Sequence, residues 1–192
     1  MEDLLTHSAA DLGREIEAGK IDPRELADTD LSAIDTHPYA DRIYVRLTEG
    51  RARDEAAAAA DRAKRGLRRS PLDGVPISWK DLYDTAGVAT ESGSALLAGR
   101  VPDRDARVLM NATEAGLVCL GKTHQTELAF SGLGLNPITA SPPCINDHEA
   151  ASGGSSSGAA ASVAFGLAAI GIGSDTGGSV RIPSVWNLSL IH

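Results

Sequence analysis

The sequence has few aromatic residues, few cysteines and fewer basic than acidic side chains. Aromatic residues make up 4% of the 192 positions, so its core has to be built mainly from Ala, Val, Leu and Ile. Two cysteines cannot make a disulfide framework, and we expect Cys119 and Cys144 to be structural. The formal net charge of −8 argues against direct nucleic-acid binding, because that requires a basic surface that displaces counterions from phosphates.

Signals for a membrane or for secretion are also missing. No apolar run is long enough to cross a bilayer. The first residues, MEDLLTHSAADL, carry acidic side chains where a signal peptide has a basic region. We therefore predict a protein without membrane contact that works in the reducing cytoplasm.

The first seventy residues have the pattern of helices. A capping box begins at Ser8, and a second helix start lies at Asp22, with Pro23 as its first helical residue. The alanine-rich stretch 49–65 predicts a third helix, and the stretch 42–47 alternates like a short strand. We treat residues 1–68 as a helical N-terminal segment.

From Leu72 onwards, strand and helix patterns alternate. This order is typical of an α/β domain with a mixed, largely parallel sheet flanked by helices. We place this domain at residues 69–187 and a separate tail at residues 188–192. The predicted strands are 75–80, 117–121 and 167–173, and the predicted helices are 105–115, 123–130 and 155–166.

Residues 116–123, GLVCLGKT, fit the phosphate-loop pattern G-x-x-x-x-G-K-[ST] letter for letter. A phosphate loop has to present successive backbone N–H groups to its ligand. Here the four residues between the glycines are apolar and have the pattern of a strand, whose N–H groups bond within a sheet. We therefore predict a buried strand and no nucleotide site.

Residues 154–158, GSSSG, fit the G-x-S-x-G pattern of the α/β-hydrolase nucleophile elbow. That elbow requires a buried strand before it and a His and an Asp later in the chain. The preceding residues, PPCINDHEA, are not predicted to be a strand, and the later histidine is His192. We therefore interpret the pattern as a chance match and do not expect Ser156, at its centre, to be a nucleophile.

The third match is formed by three separated segments. They are SWKDL at 78–82, GGSSSG at 153–158 and GSDTGGSVRIP at 173–183. In residues and spacing they resemble the amidase signature family, whose members include the A subunits of glutamyl-tRNA amidotransferases, fatty-acid amide hydrolase and bacterial acylamidases. The resemblance covers about residues 60–187 and implies the amidase signature fold for this part of the chain.

The resemblance also implies the catalytic residues. It assigns Ser179 as the nucleophile, Ser155 as a bridging serine at a non-proline cis peptide bond, and Lys80 as the base. The backbone N–H groups of the family's oxyanion hole fall on Thr176, Gly177, Gly178 and Ser179, and Ser131 falls in a loop that lines the substrate site in some members.

The residue types suit this chemistry. A serine hydroxyl is a weak nucleophile and needs a base within hydrogen-bond reach. The five histidines show neither a Ser-His-Asp arrangement nor metal-ligand spacing, so we predict no metal and no cofactor. A lysine accepts a proton only when it is neutral, and burial beside Ile77 and Trp79 would favour that form of Lys80. We expect Asp175 and Arg181 to be structural charges.

The predicted function is hydrolysis of a non-peptide C–N amide bond in a small molecule, through an acyl-enzyme. Two alternatives stay open: a glutaminase-type subunit of a tRNA-dependent amidotransferase, and a non-catalytic fragment. The residues after Asn187 leave the family pattern, so we expect a C-terminally truncated or frameshifted product with exposed apolar surface, whose own activity stays open. Its expected partners are an amide substrate together with either a second copy, as a homodimer, or amidotransferase partner subunits.

Overall fold

The computed structural model describes residues 4–187, and the predicted tail at 188–192 lies outside this range. The N-terminal part contains a 3₁₀ turn (Leu4–Thr6), helices α1 (Ala9–Glu17), α2 (Pro23–Thr36) and α3 (Ala40–Ile43), strand β1 (Tyr44–Leu47) and helix α4 (Glu49–Lys64). Further strands are β2 (Pro76–Lys80), β3 (Val118–Thr123), β4 (Pro143–Cys144), β5 (Asp147–Ala151) and β6 (Ile170–Ile172). Further helices are α5 (Arg107–Glu114), α6 (Ser157–Ala164) and α7 (Arg181–Trp186), with 3₁₀ turns at Ala95–Leu97 and Glu127–Ala129. Within the described range, no helix is long and apolar enough to cross a bilayer.

Side-chain caps begin the first two helices, as predicted. The Ser8 hydroxyl accepts a hydrogen bond from the Asp11 backbone N–H (3.2 Å). The Asp22 carboxylate accepts one from the Arg24 backbone N–H (3.0 Å). Pro23 is the first residue of α2, where a backbone N–H would have no intrahelical partner. These caps satisfy donors that a helix start otherwise leaves unpaired.

Four strands form the main sheet in the order β1-β3-β2-β6. Strand β2 runs parallel to both β3 and β6, whereas β1 runs antiparallel to β3. The predicted mixed, largely parallel sheet is therefore confirmed. Strand β1, which belongs to the N-terminal segment, forms one edge of this sheet.

The two faces of the sheet are covered by different helices. On one face, α2, α4 and α6 pack with β3 in the largest buried cluster. On the other face, Ile77 and Trp79 of β2 pack with α5. Because side chains alternate along a strand, Ser78 and Lys80 face α6. A hydrogen bond between the hydroxyls of Ser78 and Ser162 (2.8 Å) agrees with this assignment.

The segment 116–123 is a buried strand, as predicted, and not a phosphate loop. All six residues of β3 are buried, and the strand is paired on both edges. Lys122, the lysine of the apparent motif, is fully buried with its Nζ 3.1 Å from the Asp81 carboxylate. A phosphate could reach neither the strand's N–H groups nor this amine.

Some element boundaries were predicted wrongly. The helix predicted over 123–130 is reduced to the 3₁₀ turn at Glu127–Ala129. Thr123 still belongs to β3, and Leu128 has a left-handed backbone (φ 48°) that no α-helix contains. The predicted 42–47, 155–166 and 167–173 are present but shorter, as β1, α6 and β6, whereas the strand predicted over 117–121 is one residue longer, as β3.

The segment PPCINDHEA, predicted not to be a strand, contributes most of a β-hairpin. Strands β4 and β5 pair antiparallel and form a two-stranded sheet of their own. Four of the five residues of β5 are exposed. The hairpin is therefore not the buried strand that a nucleophile elbow requires.

Candidate active site

Lys80 is the last residue of β2 and is completely buried. Its Nζ contacts three hydroxyl oxygens, those of Ser155 (2.7 Å), Ser174 (2.9 Å) and Ser156 (3.0 Å). None of the residues from 4 to 187 forms an ion pair with this amine. Burial lowers the pKa of Lys80 to about 7, and the Asp175 carboxylate offsets this only in part. At neutral pH, a large share of Lys80 is therefore the uncharged amine, the form that accepts a proton.

Parallel pairing explains why Lys80 and Ser174 meet. Strands β2 and β6 are neighbours, and their register pairs Trp79 with Ile172. Chains that leave two adjacent parallel strands do so at the same edge of the sheet. Ser174 was not predicted as a site residue. Its position directly after a strand predicted to end at Gly173 was the available signal.

Ser155 lies in a loop and not in the helix that was predicted to start there. The Gly154–Ser155 peptide bond is cis, as the resemblance implies. Helix α6 begins two residues later, at Ser157. Ser155 is fully buried, and its carbonyl accepts a hydrogen bond from the Thr126 N–H (3.2 Å). The loop is therefore tied to the segment that follows β3.

The loop that contains Ser131 packs against this glycine-rich loop. The Gly154 N–H donates to the Gly132 carbonyl (2.8 Å). A Cβ atom at position 154 would lie 2.7 Å from the backbone nitrogen of Gly134, so only glycine fits. Ser131 itself is exposed, and its hydroxyl accepts a hydrogen bond from the Leu133 N–H (3.2 Å). The Ser131 loop thus adjoins the site, but its hydroxyl is not part of the lysine–serine cluster.

Ser156 belongs to the lysine–serine cluster, a contact that the sequence analysis did not predict. Its hydroxyl donates to the Ser174 carbonyl (3.2 Å) and accepts from the Ser174 N–H (3.2 Å), in addition to the contact with Lys80. Its backbone N–H donates to the Ser179 carbonyl (3.0 Å). Ser156 therefore joins the two serine-bearing loops.

Asp175 organises the loop that carries Ser179. Its carboxylate accepts hydrogen bonds from the backbone N–H groups of Gly178 (2.8 Å), Val180 (3.0 Å) and Arg181 (3.1 Å). The Arg181 guanidinium donates to both carboxylate oxygens (3.1 and 2.9 Å). The guanidinium and these N–H groups hold the pKa of Asp175 far below its usual range. Both charges are structural, in line with the prediction.

Ser179 is half-buried on the same loop, and its hydroxyl makes no hydrogen bond with any residue of the described range 4–187. Of the four predicted oxyanion donors, the Gly178 N–H is already engaged by Asp175. The N–H groups of Thr176, Gly177 and Ser179 have no acceptor among the described residues. Three of the four predicted donors are therefore open to a ligand.

Fold and site together define a class of protein. It is an α/β protein in which a buried lysine at the end of one parallel strand contacts serine hydroxyls, one of them just after the neighbouring parallel strand. Among residues 4–187, no group of three His, Cys, Asp or Glu side chains could hold a metal ion. Comparison with known proteins supplies the family. The family model described as Amidase matches residues 31–188, and the chain therefore belongs to the amidase family.

Relatives in this family differ in their named activities. The A subunit of glutamyl-tRNA(Gln) amidotransferase from Anaeromyxobacter sp. (strain K) is 40% identical over 176 residues, which cover 91% of this chain and 35% of the relative. The native peptide amidase from Stenotrophomonas maltophilia superposes with a TM-score of 0.84 and 33% identity, over 95% of this chain and 39% of that chain. A fatty acid amide hydrolase superposes with a TM-score of 0.88 and 26% identity, over 96% and 33%. This chain thus spans about a third to two fifths of the length of the proteins it matches.

Proposed function

We propose that this chain carries the catalytic centre of an amide hydrolase that cleaves a non-peptide C–N bond through an acyl-enzyme. Ser179 is the nucleophile, Ser155 the bridging serine and Lys80 the base. The observation that carries this proposal is the 2.7 Å contact between Lys80 Nζ and Ser155 Oγ, both fully buried. An amine kept neutral by burial and touching a hydroxyl is able to act as a general base for serine. The relatives named amidotransferase, peptide amidase and fatty acid amide hydrolase support amide chemistry.

The proton path runs from Ser179 through Ser155 to Lys80. Neutral Lys80 accepts the Ser155 proton while Ser155 accepts the Ser179 proton, so the Ser179 oxygen attacks the amide carbonyl. The lysine ammonium then returns a proton through Ser155 to the leaving nitrogen, and the amine departs. Water attacks the acyl-enzyme by the same relay, which releases the acid and restores the serine.

The negative charge that develops on the carbonyl oxygen is met by backbone N–H groups of the Ser179 loop. The open donors are those of Thr176, Gly177 and Ser179. Asp175 holds this loop in shape through its five hydrogen bonds, so the donors need no rearrangement at the moment of reaction. Donors fixed in this way are effective because their orientation is set before the charge forms.

We expect the acylation rate to rise with pH through about 7 and to level off above that value. Only the deprotonated amine of Lys80 accepts a proton, and burial lowers its pKa to about 7. Below the pKa, the rate should fall about tenfold for each pH unit. The pH dependence of kcat/KM for 4-nitroacetanilide measures this, and a flat profile from about pH 5 to about pH 9 would contradict it.

A fluorophosphonate probe tests the nucleophile, because it reacts with activated serines. We expect it to label the wild-type chain on Ser179, as located by mass spectrometry of the modified peptide, and to leave Ser179→Ala unlabelled. Ser32→Ala, on the exposed side of α2, is the control and should be labelled like the wild type. Equal labelling of the wild type and Ser179→Ala, or labelling of neither, excludes this proposal for the chain.

The second candidate function is that of a glutaminase-type component of an amidotransferase. It is favoured by the 40% identity with the A subunit of an amidotransferase over most of this chain. In that case the same serine attacks the side-chain amide of glutamine, and the ammonia passes to a partner protein. Ammonia release from glutamine that depends on added partner subunits would favour this candidate. Hydrolysis of 4-nitroacetanilide by the chain alone would favour the first.

A further inference from the structure

Tyr83 connects the turn after Lys80 to the start of the Ser179 loop. The turn is closed by a hydrogen bond from the Tyr83 N–H to the Lys80 carbonyl (3.1 Å). The Tyr83 hydroxyl donates to the Gly173 carbonyl (2.7 Å). The next residue, Ser174, accepts a hydrogen bond from Lys80 Nζ (2.9 Å). The start of the loop is therefore held by two hydrogen bonds, one from the Lys80 amine to Ser174 and one from the Tyr83 hydroxyl to Gly173.

The Gly173 carbonyl needs this partner because the sheet ends just before it. The pairing of β2 with β6 stops at Trp79 and Ile172. A half-buried carbonyl beyond the last pair is costly to leave without a donor, and the Tyr83 hydroxyl supplies one. The tyrosine ring is held by an edge contact with Trp79 (centroids 6.4 Å apart) and by packing in the same apolar cluster as Ile170.

Gly173 is packed so closely that its backbone cannot move without displacing neighbouring residues. A Cβ atom at this position would lie 2.7 Å from the Ser156 hydroxyl oxygen and 2.9 Å from Val180 Cγ2, so the backbone here is closely packed. Ser156 contacts Lys80, and Val180 follows Ser179 directly. Movement of Gly173 therefore changes the contacts of the base and of the nucleophile together.

We propose that Tyr83 is a positioning residue of this site. Its hydroxyl, bonded to the Gly173 carbonyl, sets the position of the Ser174–Ser179 loop relative to Lys80. Tyr83 does not touch the reacting atoms and acts through Gly173. The inference rests on the proposed function.

The substitution Tyr83→Phe tests this, with Tyr44→Phe as a matched control. The Tyr44 hydroxyl also donates to a backbone carbonyl, that of Leu167 (2.9 Å), so the control loses the same kind of bond elsewhere in the core. We expect the rate constant for fluorophosphonate labelling of Ser179 to fall about tenfold in Tyr83→Phe and less than about twofold in Tyr44→Phe. The pH midpoint of labelling should rise in Tyr83→Phe alone, because water admitted beside Ser174 stabilises the Lys80 ammonium. A merely structural role would lower the melting temperature of both variants without moving this midpoint.

Hydrogen exchange supplies a readout that does not depend on activity. The backbone N–H groups of Ser174, Gly178 and Val180 are bonded to side chains of the site and should be protected in the wild type. We expect a peptide covering 170–180 to exchange faster in Tyr83→Phe and at the wild-type rate in Tyr44→Phe. Unchanged exchange in Tyr83→Phe overturns the inference. If the wild type itself is not labelled, the proposed function fails, and the exchange rates still decide the role of Tyr83.

Discussion

Replacing Lys80 with methionine is expected to slow amide hydrolysis by about 10³–10⁴-fold, the upper part of the range for a positioned general base. The substitution leaves Ser155 and Ser179 in place but removes the acceptor for their protons. Methionine fills most of the lysine's volume without a buried polar atom, so the fold is expected to persist. The rate is measured as release of 4-nitroaniline from 4-nitroacetanilide.

Lys80→Arg separates the chemistry of this position from its packing. Arginine keeps a long side chain and hydrogen-bond donors, but its guanidinium cannot be deprotonated in a protein. We therefore expect Lys80→Arg to be as slow as Lys80→Met. Lys64→Met, at the exposed end of α4, should keep the wild-type rate. Wild-type activity in Lys80→Arg would show that another group is the base.

Asp30→Asn is expected to raise the free energy of unfolding by about 4 kcal/mol at about pH 8 and by little at about pH 4. Asp30 lies in α2 and is 4% exposed. Its carboxyl makes no hydrogen bond or ion pair with any residue of the described range 4–187. Burial alone raises its pKa to about 7. The asparagine amide has the same shape and cannot ionise.

The effect of Asp30 on stability has a definite sign. Between the ordinary aspartate pKa of 3.8 and about 7, the folded state holds a proton that the unfolded state has released. The contribution of Asp30 to the free energy of unfolding is therefore fully present below about pH 4 and is lost as the pH rises through about 7. Urea unfolding at several pH values measures how the free energy of unfolding falls as the pH rises. Asp30→Asn should not show this fall.

Asp28→Asn is the control for this prediction. Asp28 lies on the same helix, its side chain is 60% exposed, and it pairs with Arg53 at 3.0 Å. An exposed ion pair contributes less than about 1 kcal/mol, so this variant should follow the wild type at every pH. Parallel pH curves for Asp30→Asn and the wild type would contradict the assignment of a raised pKa.

Local patterns predicted most of the fold because helix caps and strand alternation depend on neighbouring residues. The caps at Ser8 and Asp22 and the buried strand β3 followed from these patterns. The helix predicted over 123–130 failed for a tertiary reason. The Thr123 carbonyl accepts a hydrogen bond from the Asp81 N–H (3.1 Å), and the Thr126 N–H donates to the Ser155 carbonyl (3.2 Å). Distant segments therefore take the backbone bonds that a helix would need.

The site was predictable only in part. The three segments that resemble the amidase family include Lys80 and Ser155, and the structure brings these two side chains together. Ser156 and Ser174 were missed because their contacts with the lysine depend on how two loops meet at the end of the sheet. Tyr83 was missed because its partner lies 90 residues further along the chain.

The residue patterns were thus sufficient for the order of elements and for the buried strand in place of a phosphate loop. The resemblance to the amidase family singled out Lys80 and Ser155, whose side chains the structure places in contact. Tertiary structure alone decided the ionisation of Lys80. Its pKa of about 7 arises from burial, and its hydroxyl partners are 75 to 94 residues away in the chain. Desolvation depends on which atoms surround the amine, and those atoms come from strands and loops that only folding brings together.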